Sequence, residues 1–264
     1  MTMSSPGIVA LSREALDFMR GNVRTFAAHL KFALPLILLL AVVQKAMEFY
    51  GYGHLSVFLM APSFFIYGCF VLSWHRVSLN GPDSAKPVNP FTITGGDFKF
   101  ILTFAGLAGT LSFVLGGMPY LAEKLIPAEA ENLVLIANIV MLAVTVAAMY
   151  WFLRLSFLLP AQAQGVTLAL DDVLRASRGM AWELFGVNFM AGLLFIVVLS
   201  VYLLVSGMIA TVSGGDAEMD KMSVEAISFV LSVPVHAAIF FVIAFGITAL
   251  SRAYQWGMQN NPVE

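Results

Sequence analysis

Six long apolar stretches constrain the fold of this chain more than any other feature of its sequence. A helix needs about 20 apolar residues to cross a hydrocarbon core of about 30 Å, so each stretch predicts one transmembrane helix. The predicted spans cover residues 32–49, 55–75, 100–121, 133–152, 184–205 and 226–250. The sequence therefore predicts an all-α polytopic membrane bundle, with one integral membrane domain over residues 1–264.

Composition excludes the main soluble classes of protein. Of the 264 residues, 59% are hydrophobic and only 11% are charged, whereas soluble domains are about 25% charged. A water-soluble enzyme, a disordered chain and a nucleic-acid binder are therefore not expected. The single cysteine, Cys69, cannot form a disulfide within the chain.

The first span is the weakest, because Gln44, Lys45 and Glu48 follow its uninterrupted apolar run. A secretory signal peptide is the alternative interpretation. The patterned segment that precedes the run is longer than the basic region of a signal peptide, and no convincing cleavage site follows it. We therefore interpret residues 32–49 as a span.

The distribution of basic residues predicts the orientation of the bundle. Of the 14 Lys and Arg residues, 11 lie in the terminal segments or in the second and fourth loops, and only Lys45, Lys124 and Lys221 lie in the other loops. Basic residues accumulate in cytoplasmic loops. We therefore expect a multi-pass protein of a bacterial inner membrane, with both termini in the cytoplasm.

Parts of the sequence suggest a repeated unit. Residues 14–21 align with residues 172–179 without a gap, and the even-numbered spans end at Arg76, Arg154 and Arg252. One interpretation is three parallel hairpin copies, at about residues 32–80, 91–160 and 168–256. The alternative is convergence, since arginine favours helix ends at this interface in any case.

Two further segments have helical patterns of their own. Residues 1–31 predict an amphipathic helix at the membrane interface, which either covers the end of the bundle or binds a lipid or a partner. Residues 168–178 predict a shorter amphipathic helix of the same kind. In the third span, small residues at four-residue spacing predict close helix packing, within the chain or against another subunit; they include Ala105, Gly109, Ser112 and Gly116.

Polar residues within the spans are few. No Asp or Glu lies in the middle of a predicted span, whereas ion-coupled transporters usually need such groups. We expect Asn138 and Asn188 to bond to neighbouring helices and His236 to be structural. No catalytic, metal-binding or cofactor motif is found, so no catalytic residue, metal ion or cofactor is expected. Haem ligation by His29 and His75 is not favoured.

The three span-ending arginines are the candidate lipid- or anion-binding residues. If three copies surround an axis, Arg76, Arg154 and Arg252 form a basic ring that holds a phospholipid headgroup or another anion. The alternative is three separate arginines that reach lipid phosphates independently.

The region around the fourth and fifth spans resembles a known group of bacterial proteins. Its features are Arg154 to Pro160, then Gly165, the stretch at residues 173–179, Trp182 and Gly186. This pattern is similar to the YciC-like six-span inner-membrane proteins and to the membrane domains attached to some glycerophosphodiester phosphodiesterases. Members often have an acidic residue soon after the proline, where this chain has Gln162 and Gln164. The resemblance implies a six-span architecture, and no phosphodiesterase activity carries over from it.

These features lead to two hypotheses about function. The first is a non-catalytic membrane protein that acts as an accessory subunit or scaffold, through contacts with membrane phospholipids and a membrane-protein partner. The second is a transporter or flippase-like protein that handles a lipid or another amphipathic substrate. A packed core with an exposed apolar flank favours the first, and a central hydrophilic cavity favours the second.

Overall fold

The computed structural model describes residues 6–83, 86–127, 130–213 and 221–260. All regular secondary structure in these residues is helical, and six helical segments are long and apolar enough to cross a membrane. They are Val23–Phe49, Gly53–Asn80, Gly95–Leu125, Asn132–Ala163, Ala181–Met208 and Phe229–Asn260. The predicted all-α, multi-pass fold is confirmed. Every span is longer than predicted, because each helix continues into the polar residues beside its apolar run.

The spans are built from longer and shorter helices. A 3-10 turn at Gly53–Leu59 leads into the second span, and a π-helical turn at Phe113–Gly117 interrupts the third. The α-helices are α1 (Ile8–Gly21), α2 (Val23–Phe49), α3 (Met60–Asn80), α4 (Gly95–Ser112), α5 (Met118–Leu125), α6 (Glu131–Leu155), α7 (Leu158–Ala163), α8 (Leu170–Ala176), α9 (Ala181–Ser213) and α10 (Lys221–Asn260).

The predicted N-terminal amphipathic helix is divided into two parts. Asn22 separates α1 from α2, and its side-chain amide donates to the Phe18 carbonyl at 2.8 Å. Residues 23–31 therefore belong to the first span, and residues 1–5 lie outside the described residues. The apolar face of α1 is buried at Leu11, Ala15 and Met19, because it packs against other helices of the chain.

Burial is concentrated at one end of the bundle. We call the end that holds α1, α7 and α8 the basal end, and the opposite end the apical end. The buried side chains of α2 extend from the basal end only as far as Ile37, and those described in α9 only as far as Ala191. In α3 they begin at Ile66 and continue to the basal end. The packed core therefore occupies the basal half of the bundle.

Trp74 lies at the centre of this core and is completely buried. Its indole Nε1 donates to the Ala244 carbonyl and to Thr248 Oγ1, both at 3.0 Å. The rings of Phe26 and Phe70 pack on it at centroid distances of 5.7 and 6.4 Å. One side chain therefore joins α2, α3 and α10.

Close packing of the third span is not observed among the described residues, and its packing against another subunit stays a prediction. In its most apolar 18-residue window 17% of residues are buried, against 33% in the second span. Cβ atoms added at Gly109 and Gly116 would meet nothing within 4 Å, while Ser112 is exposed and Ala105 is half-buried. The row of small residues does not serve helix contacts among the described residues.

Candidate functional site

Arg76 joins three helices at the basal end. Its Nη2 donates to Asp97 Oδ1 at 2.6 Å, and its Nε donates to the Ala163 carbonyl at 3.4 Å. Asp97 is held by a capping box with Thr94, whose backbone N–H donates to Asp97 Oδ2 at 3.0 Å. Charge-assisted hydrogen bonds of this kind are strong and directional. Arg76 therefore fixes the end of α3 to the start of α4 and to α7.

A polar cleft opens beside Arg76. Its volume is about 530 Å³, and its wall combines both charge signs with amide and hydroxyl groups. The lining side chains include Arg76, Asn80, Lys86, Asn89, Asp97 and Gln164. Neither Arg154 nor Arg252 lines this cleft.

Arg154 makes a second set of contacts within the chain. Its Nε donates to Ser177 Oγ at 3.1 Å, and its Nη2 donates to the Leu174 carbonyl. The guanidinium also lies 5.7 Å from the ring centroids of Tyr150 and Trp151. Arg154 thus fixes the basal end of α6 to α8.

Arg252 makes a third set of contacts, which includes a contact with α1. Its Nη1 donates to Gln255 Oε1 at 3.1 Å, and its guanidinium lies 5.4 Å from the Phe18 ring centroid. This distance is within the range of a cation–π contact.

The three arginines have parallel structural roles. Arg76 lies near the basal end of the second span and contacts the start of the third, at Asp97. Arg154 lies near the basal end of the fourth span and contacts α8, which precedes the fifth. Arg252 lies near the basal end of the sixth span and contacts α1, which precedes the first. Each arginine therefore holds the segment that introduces the next span, and their lipid- or anion-binding role stays a prediction.

The polar residues of the spans mostly bond within their own helices. The Asn188 side-chain amide donates to the Leu184 carbonyl at 2.8 Å, and His236 Nδ1 lies 2.9 Å from the Ser232 carbonyl. The expected bond from Asn188 to a neighbouring helix is therefore not the one observed. Asn138 is exposed and has no hydrogen bond among the described residues.

The fourth span forms an open apolar flank. None of its most apolar 18-residue window is buried, and Leu153 is the one buried side chain described in α6. A groove of about 430 Å³ separates α6 from α5 on the apical side, and Asn138 lines it together with Glu123. A second groove of about 290 Å³, lined by Thr145 among others, lies between α6 and α9. The helix is thus held mainly at its basal end.

His75, which the sequence analysis considered only as a disfavoured haem ligand, has an unusual environment. Its ring is completely buried, and Nδ1 lies 2.9 Å from Ser251 Oγ. Its Nε2 has no hydrogen-bond partner among the described residues. Residues far apart in the chain, Phe100 and Ser251 among them, create this environment, so no local motif marks it.

Comparisons of this chain with protein-family models, with curated proteins and with solved structures found no match. Among the described residues, no group of three or more His, Cys, Asp or Glu side chains is placed to hold a metal ion.

Proposed function

We propose that this chain is a non-catalytic protein of a bacterial inner membrane that acts as an accessory subunit or scaffold. Its membrane partner binds along the fourth span. The observation that carries this proposal is the open flank of α6, of whose most apolar window no residue is buried. The aromatic core around Trp74 supports the same interpretation, since the basal half is packed rather than built around a hydrophilic channel.

Asn138 gives this flank a means of recognition. An amide in the apolar environment of a membrane gains from hydrogen bonds to a neighbouring helix, because lipid tails offer none. Its exposure on α6, beside a groove of about 430 Å³, suits a transmembrane helix of a partner protein. The flank would then be covered in the complex.

The proposal includes an orientation in which the basal end faces the cytoplasm. We expect reporter fusions at Ala85 and after Glu264 to report the cytoplasm, and a fusion at Asp216 to report the opposite side. All three positions lie outside the described residues. A C-terminal fusion that reports the periplasm would contradict both this orientation and the even number of spans.

The partner is tested by native mass spectrometry of the complex, extracted gently from its own membrane. We expect one stoichiometric protein partner, and we expect Asn138→Leu to weaken its binding about fivefold or more, the effect of an interhelical hydrogen bond of about 1–2 kcal/mol. Thr110→Val is the matched control. Thr110 is also exposed on a span, but its hydroxyl already donates to the Gly106 carbonyl of its own helix at 2.8 Å. The control should leave the partner bound.

The same experiment addresses the second candidate function, a transporter or flippase-like handler of lipids. The polar cleft beside Arg76 favours it, because its lysine, arginine and amide groups suit a lipid headgroup. A chain that carries a defined phospholipid and no protein partner would replace the scaffold proposal by this one. Loss of that lipid on substitution of Arg76, but not of Arg154, would place it in the cleft.

A further inference from the structure

We propose that a cavity in the basal half of the bundle binds a small uncharged ligand, with an apolar body about the size of one ring and one hydrogen-bonding oxygen. His75 forms the hydrogen bond to that oxygen. The inference concerns the interior of the bundle and does not depend on the proposed partner at α6.

The cavity lies where six helices meet. Its volume is about 120 Å³, and α3, α4, α6, α7, α9 and α10 all contribute to its wall. Most of the lining is apolar, from side chains such as Val71, Phe104 and Leu250. The polar groups among the lining residues are those of His75, Ser156 and Asn188. An apolar cavity of about 150 Å³ is large enough for benzene, so a space of this size accepts a single ring.

His75 supplies an unused hydrogen-bonding atom. The Nδ1 edge of the ring is turned to Ser251, which does not line the cavity. The other ring nitrogen, Nε2, is therefore the one that faces the cavity. Leaving a buried polar atom without a partner costs the desolvation of that atom with no hydrogen bond in return. Phe100 packs on the ring edge-to-face at a centroid distance of 5.9 Å, which holds its orientation. A ligand that bonds to Nε2 removes this cost.

The other polar groups are already engaged. Ser156 Oγ donates to the Leu153 carbonyl at 2.7 Å, and the Asn188 amide nitrogen donates to the Leu184 carbonyl. The Asn188 carbonyl oxygen lies over Gly246, only 2.6 Å from where a Cβ would stand. His75 is therefore the main anchor, and Asn188 offers at most an additional acceptor.

The lining also determines the charge of the ligand. No Asp, Glu, Lys or Arg lines the cavity, and an unpaired charge is strongly disfavoured in such surroundings. Arg76 follows His75 directly, but its guanidinium is engaged by Asp97 and the Ala163 carbonyl. The ligand is thus neutral. A hydroxyl suits either tautomer of His75, because it both donates and accepts.

The cavity is accessible from outside the core. Phe104, Phe152 and Asn188 are half-buried, whereas Val71 and His75 on the opposite wall are buried. An amphipathic molecule that partitions into the membrane can therefore enter with its apolar body among the phenylalanines and its oxygen toward His75.

Fluorine NMR of the purified full-length chain in detergent micelles tests this site, with empty micelles as the reference. The probes are 4-fluorophenol and fluorobenzene, which differ in one hydroxyl group. We expect 4-fluorophenol to bind about tenfold more tightly than fluorobenzene, the effect of one neutral hydrogen bond. His75→Phe keeps a ring in place and should abolish that preference.

A second variant covers the case in which His75→Phe does not fold. Gly246→Ala leaves the His75–Ser251 pair untouched, and the added Cβ meets only the flexible end of Asn188. It reduces the space in the cavity and should weaken both probes. Equal binding of the two probes to the unaltered chain would overturn the proposal. A preference for 4-fluorophenol that survives His75→Phe would also overturn it. The absence of any bound signal would do the same, since the cavity would then hold only water.

Discussion

Trp74→Ala lowers the free energy of unfolding by about 3–5 kcal/mol, the range found when a buried aromatic side chain is truncated. Trp74 is 0% exposed, and its removal leaves a cavity between α2, α3 and α10. It also removes the donor to the Ala244 carbonyl. Reversible denaturation in mixed micelles measures the loss, with helix content as the signal.

Two variants separate the causes of this loss. Trp74→Phe keeps most of the ring packing but loses the indole N–H, so we expect a cost of about 1–2 kcal/mol. Trp182→Ala removes an indole that is 60% exposed, and it should change the free energy of unfolding by less than about 1 kcal/mol. A Trp182→Ala loss as large as that of Trp74→Ala would contradict the location of the core.

Gly257→Ala destabilises the chain by about 1–3 kcal/mol, as overpacking does in tightly packed interiors. A Cβ atom at Gly257 would stand 2.4 Å from the Ala176 carbonyl oxygen and 3.2 Å from its carbon. Both are backbone atoms, so α8 must move away from α10 before the methyl group fits. The midpoint of thermal unfolding should fall, and amide exchange of α8 should increase.

The direction of this effect is diagnostic, because glycine-to-alanine changes within helices usually stabilise by up to about 1 kcal/mol. Gly192→Ala is the matched control, since a Cβ there meets nothing within 4 Å. We expect it to be neutral or stabilising. Equal destabilisation by Gly257→Ala and Gly192→Ala would show that the effect at Gly257 does not come from contact with α8.

Hydropathy predicts the six spans because an apolar run of membrane length has few other stable environments. The predicted spans are too short, since hydropathy does not register a helix that continues into polar residues. The capping box at Thr94 and Asp97 begins α4 several residues before its apolar run, and Arg154 lies within α6 rather than after it.

Tertiary contacts explain what the sequence alone could not determine. The pattern of α1 suits a lipid surface as well as a protein surface, and its burial depends on partners such as Gly186, whose missing side chain leaves room for Ile8. The small residues of α4 match the spacing of a packing motif, but Cβ atoms at its glycines would meet no neighbouring helix. The three arginines were found because they end the predicted spans, whereas the partners Asp97, Leu174 and Phe18 lie on other helices.

The contacts of α1 also bear on how the chain is assembled during synthesis. Leu11 and Ala15 are buried in a cluster that includes Ala253 and Tyr254, and Phe18 lies under Arg252. All three of those partners belong to α10, which is synthesised well after α1. The apolar face of α1 must therefore lie against lipid or a chaperone until α10 has been made and inserted. The first of the described helices along the chain is thus among the last to reach its native neighbours.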